Sequence, residues 1–240
     1  MVSEDQNTFQ QHFDRGDSFE KLGLFKDAIL EYREALRQAT KHQDPDPQDP
    51  DFHLTMYKLA LALRDNEELD EAVDTCRHLL RLTPEDDVTH EVLGTMLVDK
   101  GDFDQAIACY QEAIRLDPAY EDAYHNMAIA LKEEGRYQEA VAAYHGALKI
   151  APDEPDIHYS LGNALRRLDR FEEAITEYQM AIKIKPDYAT AYNNLGLTLI
   201  DLGRYEEAAS ACRHGLDYAP GDEALQLNLQ DSLDGQEEAG

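Results

Sequence analysis

The chain has 240 residues, and its 50 acidic against 22 basic side chains give a formal net charge of −28 at pH 7. This charge excludes nucleic acid as a ligand, because binding to phosphates requires a basic surface, and it disfavours binding to anionic membranes. No stretch approaches the roughly 20 apolar residues of a membrane span, and the polar N-terminus lacks the features of a targeting segment, so the sequence predicts a cytoplasmic protein without membrane insertion.

Most of the chain repeats with a period of 34 residues. Its clearest mark is a proline, numbered here as position 32 of each unit: Pro84, Pro118, Pro152, Pro186 and Pro220. Position 8 is always small: Ala60, Gly94, Ala128, Gly162 and Gly196. Position 20 is always alanine: Ala72, Ala106, Ala140, Ala174 and Ala208. We therefore expect two helices per unit, each with one apolar stripe, in close contact where position 8 meets position 20.

The N-terminal part of the chain is an atypical copy of this unit. After a tail over residues 1–8, residues 9–40 form a first unit, with Gly16 at position 8 and Ala28 at position 20. The unit departs from the others at position 7, where Arg15 replaces a large aliphatic residue, and it lacks the closing proline. Its first helix is the least regular element of the array.

A loop over residues 41–52 separates the first unit from the next. Asp and Pro alternate through much of it, and this composition forms neither a helix nor a sheet ladder. We predict an extended, exposed loop, either a tolerated insertion or a docking loop.

Five full units follow, at residues 53–86, 87–120, 121–154, 155–188 and 189–222. A glycine in the turn between the two helices of a unit supplies the left-handed conformation that ends the first helix, at Gly101, Gly135 and Gly203. Asp169 takes this place in one unit, and aspartate tolerates the conformation. The proline at position 32 ends the second helix, because it has no backbone donor.

The C-terminal segment reads as a capping helix at residues 223–235, followed by an acidic tail at 236–240. Leu225, Leu229 and Leu233 are four residues apart, with polar residues between them. Open helical repeats need such a polar-backed last helix for solubility.

The pattern of small residues at positions 8 and 20, aromatics at 17 and 24 and proline at 32 closely resembles the tetratricopeptide repeat family. The resemblance implies an all-α, right-handed superhelical solenoid of about six helix-turn-helix repeats with a capping helix. It also implies a concave groove that binds peptides or partner helices through positions 2, 5, 6, 9, 12 and 13 of the first helices.

In the last three full units, this resemblance places the candidate peptide-binding residues on one groove. They are His125, Asn126, Ile129, Lys132, Tyr159, Asn163, Arg166, Arg167, Asn193, Asn194 and Leu197. Amide side chains both donate to and accept from a peptide backbone, which suits the binding of an extended chain.

The groove around Lys132, Arg166 and Arg167 is locally basic on an acidic chain. Residues 155–188 carry six acids and five bases, whereas residues 87–120 carry seven acids and two bases. We hypothesise that this patch receives an acidic side chain or a C-terminal carboxylate, because guanidinium groups match the geometry of carboxylates. The alternative is that these arginines only pair with nearby acids such as Asp201.

No catalytic, cofactor or metal constellation is present in the sequence. The three cysteines, Cys76, Cys109 and Cys212, fall on second helices and read as buried free thiols. His125 and His158 lie on adjacent repeats but lack further ligands at metal-binding spacing, so we interpret them as isolated surface or groove histidines.

The sequence thus predicts a non-enzymatic scaffold that holds a protein or peptide segment in its groove. Two alternatives remain: a structural scaffold that forms homo-oligomers through its terminal repeats, and a targeting module for a separate enzyme. Phe9 and Phe13 bear on the first of these, as either N-terminal core or an exposed self-associating edge. The acidity reflects either solubility alone or a salt-rich cytoplasm.

Overall fold

A computed structural model of the chain describes residues 4–40 and 49–239. Over these residues the protein consists of thirteen α-helices and no strand. They form two compact units, one up to residue 118 and one from residue 119 onward, and each is described by itself. The prediction of an all-α helical repeat fold is confirmed.

The first unit contains three helical hairpins in which consecutive helices pack together. Its helices are α1 (Glu4–Lys21), α2 (Phe25–Ala39), α3 (Pro50–Asp65), α4 (Leu69–Leu82), α5 (Asp87–Asp99) and α6 (Phe103–Leu116). Phe13 packs near the buried Tyr32, with 6.0 Å between ring centroids, and Phe9 stacks on Phe13 at 6.5 Å. These contacts favour the N-terminal core over the self-associating edge.

The second unit contains three further hairpins and a last helix. Its helices are α7 (Glu121–Glu133), α8 (Tyr137–Ile150), α9 (Pro155–Arg167), α10 (Phe171–Ile184), α11 (Ala189–Asp201), α12 (Tyr205–Tyr218) and α13 (Glu223–Ala239). Helix α13 packs on both α11 and α12 and buries Leu225 fully. It therefore covers the apolar face of the last hairpin.

Helix ends differ from the predicted segments at three places. Helix α1 begins within the predicted tail at Glu4. Helix α3 begins within the predicted loop, because the Asp49 side chain accepts from the Asp51 backbone N–H at 3.0 Å and Pro50 occupies the first helical turn. Residues 41–48 of that loop lie outside the described residues. Helix α13 continues to Ala239 through Gly235, whose Cα faces the Tyr205 ring closely and has no room for a Cβ. The predicted boundaries of the individual repeats stay predictions.

The predicted turn geometry is confirmed. Gly101, Gly135 and Gly203 have φ angles of 78°, 74° and 70°, and Asp169 has a φ of 56°. A residue that has a Cβ pays a conformational free-energy cost of roughly 1–2 kcal/mol when it adopts the left-handed conformation. Glu67 carries this cost as well, with a φ of 65° in the turn before α4.

The small residue at position 8 faces the side chain at position 24 of the second helix, and in the last full unit it also lies near position 20, since a Cβ added to Gly196 would be 3.7 Å from the Ala208 backbone oxygen. A Cβ added to Gly162 would lie 2.6 Å from Cε1 of Tyr178, and one added to Gly94 would lie 2.7 Å from Cε1 of Tyr110. The side chain at position 24 of the second helix packs against the first helix, and both tyrosine rings are almost fully buried there. The position 20 alanines are also fully buried.

Candidate functional site

A cavity of about 540 Å³ opens in the second unit at the ends of α7 and α9. Its walls are polar, and we call it the basic groove. It is lined by Lys132, Glu133, Tyr137, Asn163, Arg166, Arg167 and Asn194. Five of the eleven predicted groove residues are therefore brought together here, whereas Glu133 and Tyr137 were not among them.

Arg166 is partly neutralised but keeps an unused donor. Its Nη2 contacts Oδ2 of Asp201 at 2.7 Å, from the last turn of α9 to the last residue of α11. This is the pairing that the alternative interpretation anticipates. The Nε atom of the same side chain is buried and makes no hydrogen bond. A buried donor without a partner is energetically costly.

Arg167 and Lys132 complete the positive side of the basic groove. The Arg167 guanidinium lies over the Tyr137 ring, 5.9 Å from its centroid, and forms no ion pair with the described residues. The Lys132 ammonium contacts Oε1 of Glu133 at 3.1 Å. Three cations thus face two carboxylates, Glu133 and Asp201, so the groove carries a local net charge of +1 on a chain of −28.

A chain of amides forms the other wall. Oδ1 of Asn163 accepts from Oη of the buried Tyr178 at 2.8 Å and from Nδ2 of Asn194 at 2.7 Å. Asn194 also donates to Oη of Tyr159 at 3.2 Å. Its own Oδ1 accepts from Asn193 at 3.3 Å. Because these bonds fix the Asn163 oxygen, its Nδ2 group is oriented to donate elsewhere.

Asn228 of α13 extends this amide chain by donating to Oδ1 of Asn193 at 2.8 Å. The sequence interpretation missed it by treating α13 only as a cap. Continuing the 34-residue register past Pro220 places Asn228 at position 6, the position that Asn126 and Asn194 also occupy. The 34-residue register was therefore the signal in the sequence that could have identified Asn228 as a groove residue.

The remaining predicted residues lie outside the lining of the basic groove. His125 sits 5.9 Å from the Tyr144 ring, and burial lowers its pKa, so the ring is neutral at pH 7. The Tyr159 ring packs against Tyr178 and Tyr188, at 6.1 and 5.2 Å. Of the other four, Asn193 belongs to the amide chain, and the remaining three are half-buried: Asn126, Ile129 and Leu197.

The interpretation of His158 as a surface or groove histidine is wrong. Its ring is 7% exposed, with Nδ1 at 2.6 Å from Oε2 of Glu177 and Nε2 at 3.0 Å from the Pro152 carbonyl oxygen. Position 4 of α9 faces α10 and the preceding turn, so both ring nitrogens serve packing between these elements.

The described residues contain no group of three or more His, Cys, Asp or Glu side chains that could hold a metal ion. Within the same residues, no helix combines the length and apolar character that crossing a bilayer requires. Cys76 and Cys212 are buried free thiols and Cys109 is half-buried. Burial raises the pKa of Cys76 to about 12 and those of Cys109 and Cys212 to about 11, which makes all three poor nucleophiles at neutral pH.

Solved structures share this architecture, although no curated protein sequence matches the chain. A crystal structure of MamA is 25% identical, with a TM-score of 0.65 over 68% of this chain and 95% of that one. The TPR protein YrrB, described as having an unusual peptide-binding site, is 17% identical, with a TM-score of 0.66 over 81% and 95%. PilF of Pseudomonas aeruginosa is 16% identical, with a TM-score of 0.69 over 93% and 97%. The last two likenesses show the fold alone.

Family models match most of the chain. A model described as TPR repeat matches residues 94–135, 130–169 and 162–203. Models described as tetratricopeptide repeat match residues 12–87 and 189–222. The resemblance seen in the sequence is thereby confirmed, including the region of the atypical first unit. The chain belongs to the tetratricopeptide repeat family.

Proposed function

We propose that this protein is a non-enzymatic scaffold that binds a peptide segment of a partner protein in the basic groove. The observation that carries the proposal is the convergence of three donor side chains in one cavity, Arg166, Arg167 and Asn163, of which Arg167 forms no ion pair with the described residues. Amide, guanidinium and ammonium groups at neutral pH bind acceptors rather than attack or deprotonate a substrate. The polar groups of the cavity therefore suit binding.

The charge of the groove favours a carboxylate as the group that it receives. A local net charge of +1 is balanced by one carboxylate, and an arginine presents parallel N–H donors to its two oxygens. Arg167 is the more available partner, since Arg166 already pairs with Asp201. We therefore place an acidic side chain or a C-terminal carboxylate of the peptide near Arg167.

The neighbours support a role in protein interaction. YrrB is described as a TPR protein with a peptide-binding site, and it shares this fold. The amide chain through Asn163 and Asn194 offers the backbone contacts that an extended peptide needs. The carboxylate contact then supplies specificity.

Removing Arg167 is expected to weaken peptide binding. Peptides would be selected on the wild-type chain from a random library displayed with free C-termini, and their affinities measured by fluorescence anisotropy. Arg167→Ala removes a charge-assisted hydrogen bond worth roughly 1.5–3 kcal/mol, so the Kd should rise about 10–100-fold.

Arg213→Ala is the matched control, because Arg213 is exposed on α12 and does not line the basic groove. Its Kd should equal that of the wild type. Amidating the peptide's C-terminus distinguishes the two sources of the carboxylate. Equal affinities for wild type and Arg167→Ala would contradict the proposal.

A further inference from the structure

A second groove, in the first unit, has a different chemical character. It opens between α2 and α4 over α3 and encloses about 540 Å³. Leu36, Phe52 and Met56 contribute apolar side chains, and Phe52 and Met56 belong to a buried cluster on which Leu36 packs. Arg33, Arg37 and Arg81 surround them. We call this site the arginine-rimmed groove.

The rim retains positive charge after its internal pairs are formed. Arg33 pairs with Glu71 at 2.6 Å, and Arg37 pairs with Glu34 through two contacts of 2.8 Å. Arg81 is exposed and forms no ion pair with the described residues. Asp74, the acidic residue among those that line the groove, lies 3.7 Å from Arg77, so the four arginines and three carboxylates of this cluster leave one net positive charge. A concentration of arginine is unusual on a chain with 50 acidic side chains.

The repeat itself does not require this charge, as a groove in the second unit shows. That groove, of about 360 Å³, lies between α10 and α12 over α11. By repeat position, Ile182 and Tyr192 correspond to Leu36 and Met56, so the apolar floor recurs. The rim recurs only at Lys183, which stands for Arg37, whereas Gln179 stands for Arg33 and Asp217 for Arg81.

We propose that the arginine-rimmed groove binds an acidic segment of a partner protein, which inserts an apolar side chain between α2 and α4. The proposal is independent of the basic groove, since it concerns another unit and other residues. Charge complementarity selects the acidic flanks, and the apolar floor selects the inserted side chain. The net charge of the chain repels such a segment only weakly at physiological salt, where the Debye length is about 8 Å.

The test uses the full chain with methyl-labelled methionine, because Met56 lies in this groove whereas Met180 lies in the second unit. The probe is a short synthetic peptide with leucine at helical spacing and glutamate elsewhere. Matched peptides carry lysine for glutamate, or serine for leucine. We expect the Glu/Leu peptide alone to bind and to shift the Met56 methyl resonance.

Arg81→Glu should weaken this binding by at least about tenfold, since it reverses an exposed charge on the rim. Lys183→Glu, the matched change in the corresponding groove, should leave it within about twofold. Circular dichroism verifies that each variant is folded.

Four results would overturn the proposal. The first is equal binding of the lysine peptide, the second is an absent Met56 shift, and the third is an unaffected Arg81→Glu variant. The fourth is a wild-type dimer in sedimentation that Arg81→Glu dissociates, which would make a second copy of the chain the occupant.

Discussion

Tyr178→Ala is expected to lower the free energy of unfolding by about 3–5 kcal/mol, the usual cost of removing a fully buried aromatic side chain. The Tyr178 ring is 0% exposed and fills the space over Gly162, where α9 and α10 approach most closely. Its hydroxyl also holds Oδ1 of Asn163. The loss should be measured by guanidinium denaturation followed by circular dichroism.

Tyr178→Phe separates the ring from the hydroxyl. It keeps the packing and removes one hydrogen bond, and Asn163 still accepts from Asn194, so it should cost only about 1 kcal/mol. Tyr218→Ala is the control for a tyrosine that is 52% exposed, and it should cost much less than Tyr178→Ala. Equal losses for the alanine variants at 178 and 218 would show that the position 24 ring does not hold the hairpin together.

Gly162→Leu tests the same contact from the other helix and is expected to destabilise the protein by about 1–3 kcal/mol, the cost of overpacking a core. A Cβ at this position already lies within 2.6 Å of the buried ring, so a leucine forces α9 and α10 apart. The gain in helix propensity over glycine, roughly 0.8–1 kcal/mol, offsets only part of this cost. Thermal unfolding should show a lower Tm.

Two variants control for this effect. Gly221→Leu adds the same side chain where nothing lies within 4 Å of the added Cβ, and it should leave the Tm nearly unchanged. Gly162→Ala should destabilise the protein less than Gly162→Leu, because it adds only the Cβ and because Ala128 occupies position 8 beside the fully buried Tyr144 in another repeat. A Gly162→Leu variant as stable as wild type would contradict the close contact.

The features that follow local rules could be predicted from the sequence. Prolines end second helices, glycines allow left-handed turns, and both act through their own backbone. Asp169 illustrates this, since its position in the repeat alone predicts its φ of 56°. The start of α3 after Asp49 and the continuation of α13 past Gly235 were missed, because a side-chain cap decides the first and a packed tyrosine ring accompanies the second.

Features that depend on side-chain direction between helices could not be predicted in the same way. The sequence identifies positions 8 and 20 as small residues of a helix contact, but only the relative rotation of the two helices shows that the side chain at position 24 packs over position 8. A histidine is chemically suited to a binding groove, but the side chain of His158 is directed towards Glu177. Likewise, Arg166 is shared between Asp201 and the cavity, which repeat numbering does not reveal.

The central claim, that the basic groove holds a partner peptide, is tested most directly by site-specific photo-crosslinking. A benzoylphenylalanine at Tyr137, which lines the groove, replaces one aromatic ring with another, and the same residue at the exposed Tyr218 serves as the control. We predict that the selected peptide crosslinks from position 137, and that adding Arg167→Ala removes this crosslink. A crosslink from position 218 with none from position 137 would contradict the account.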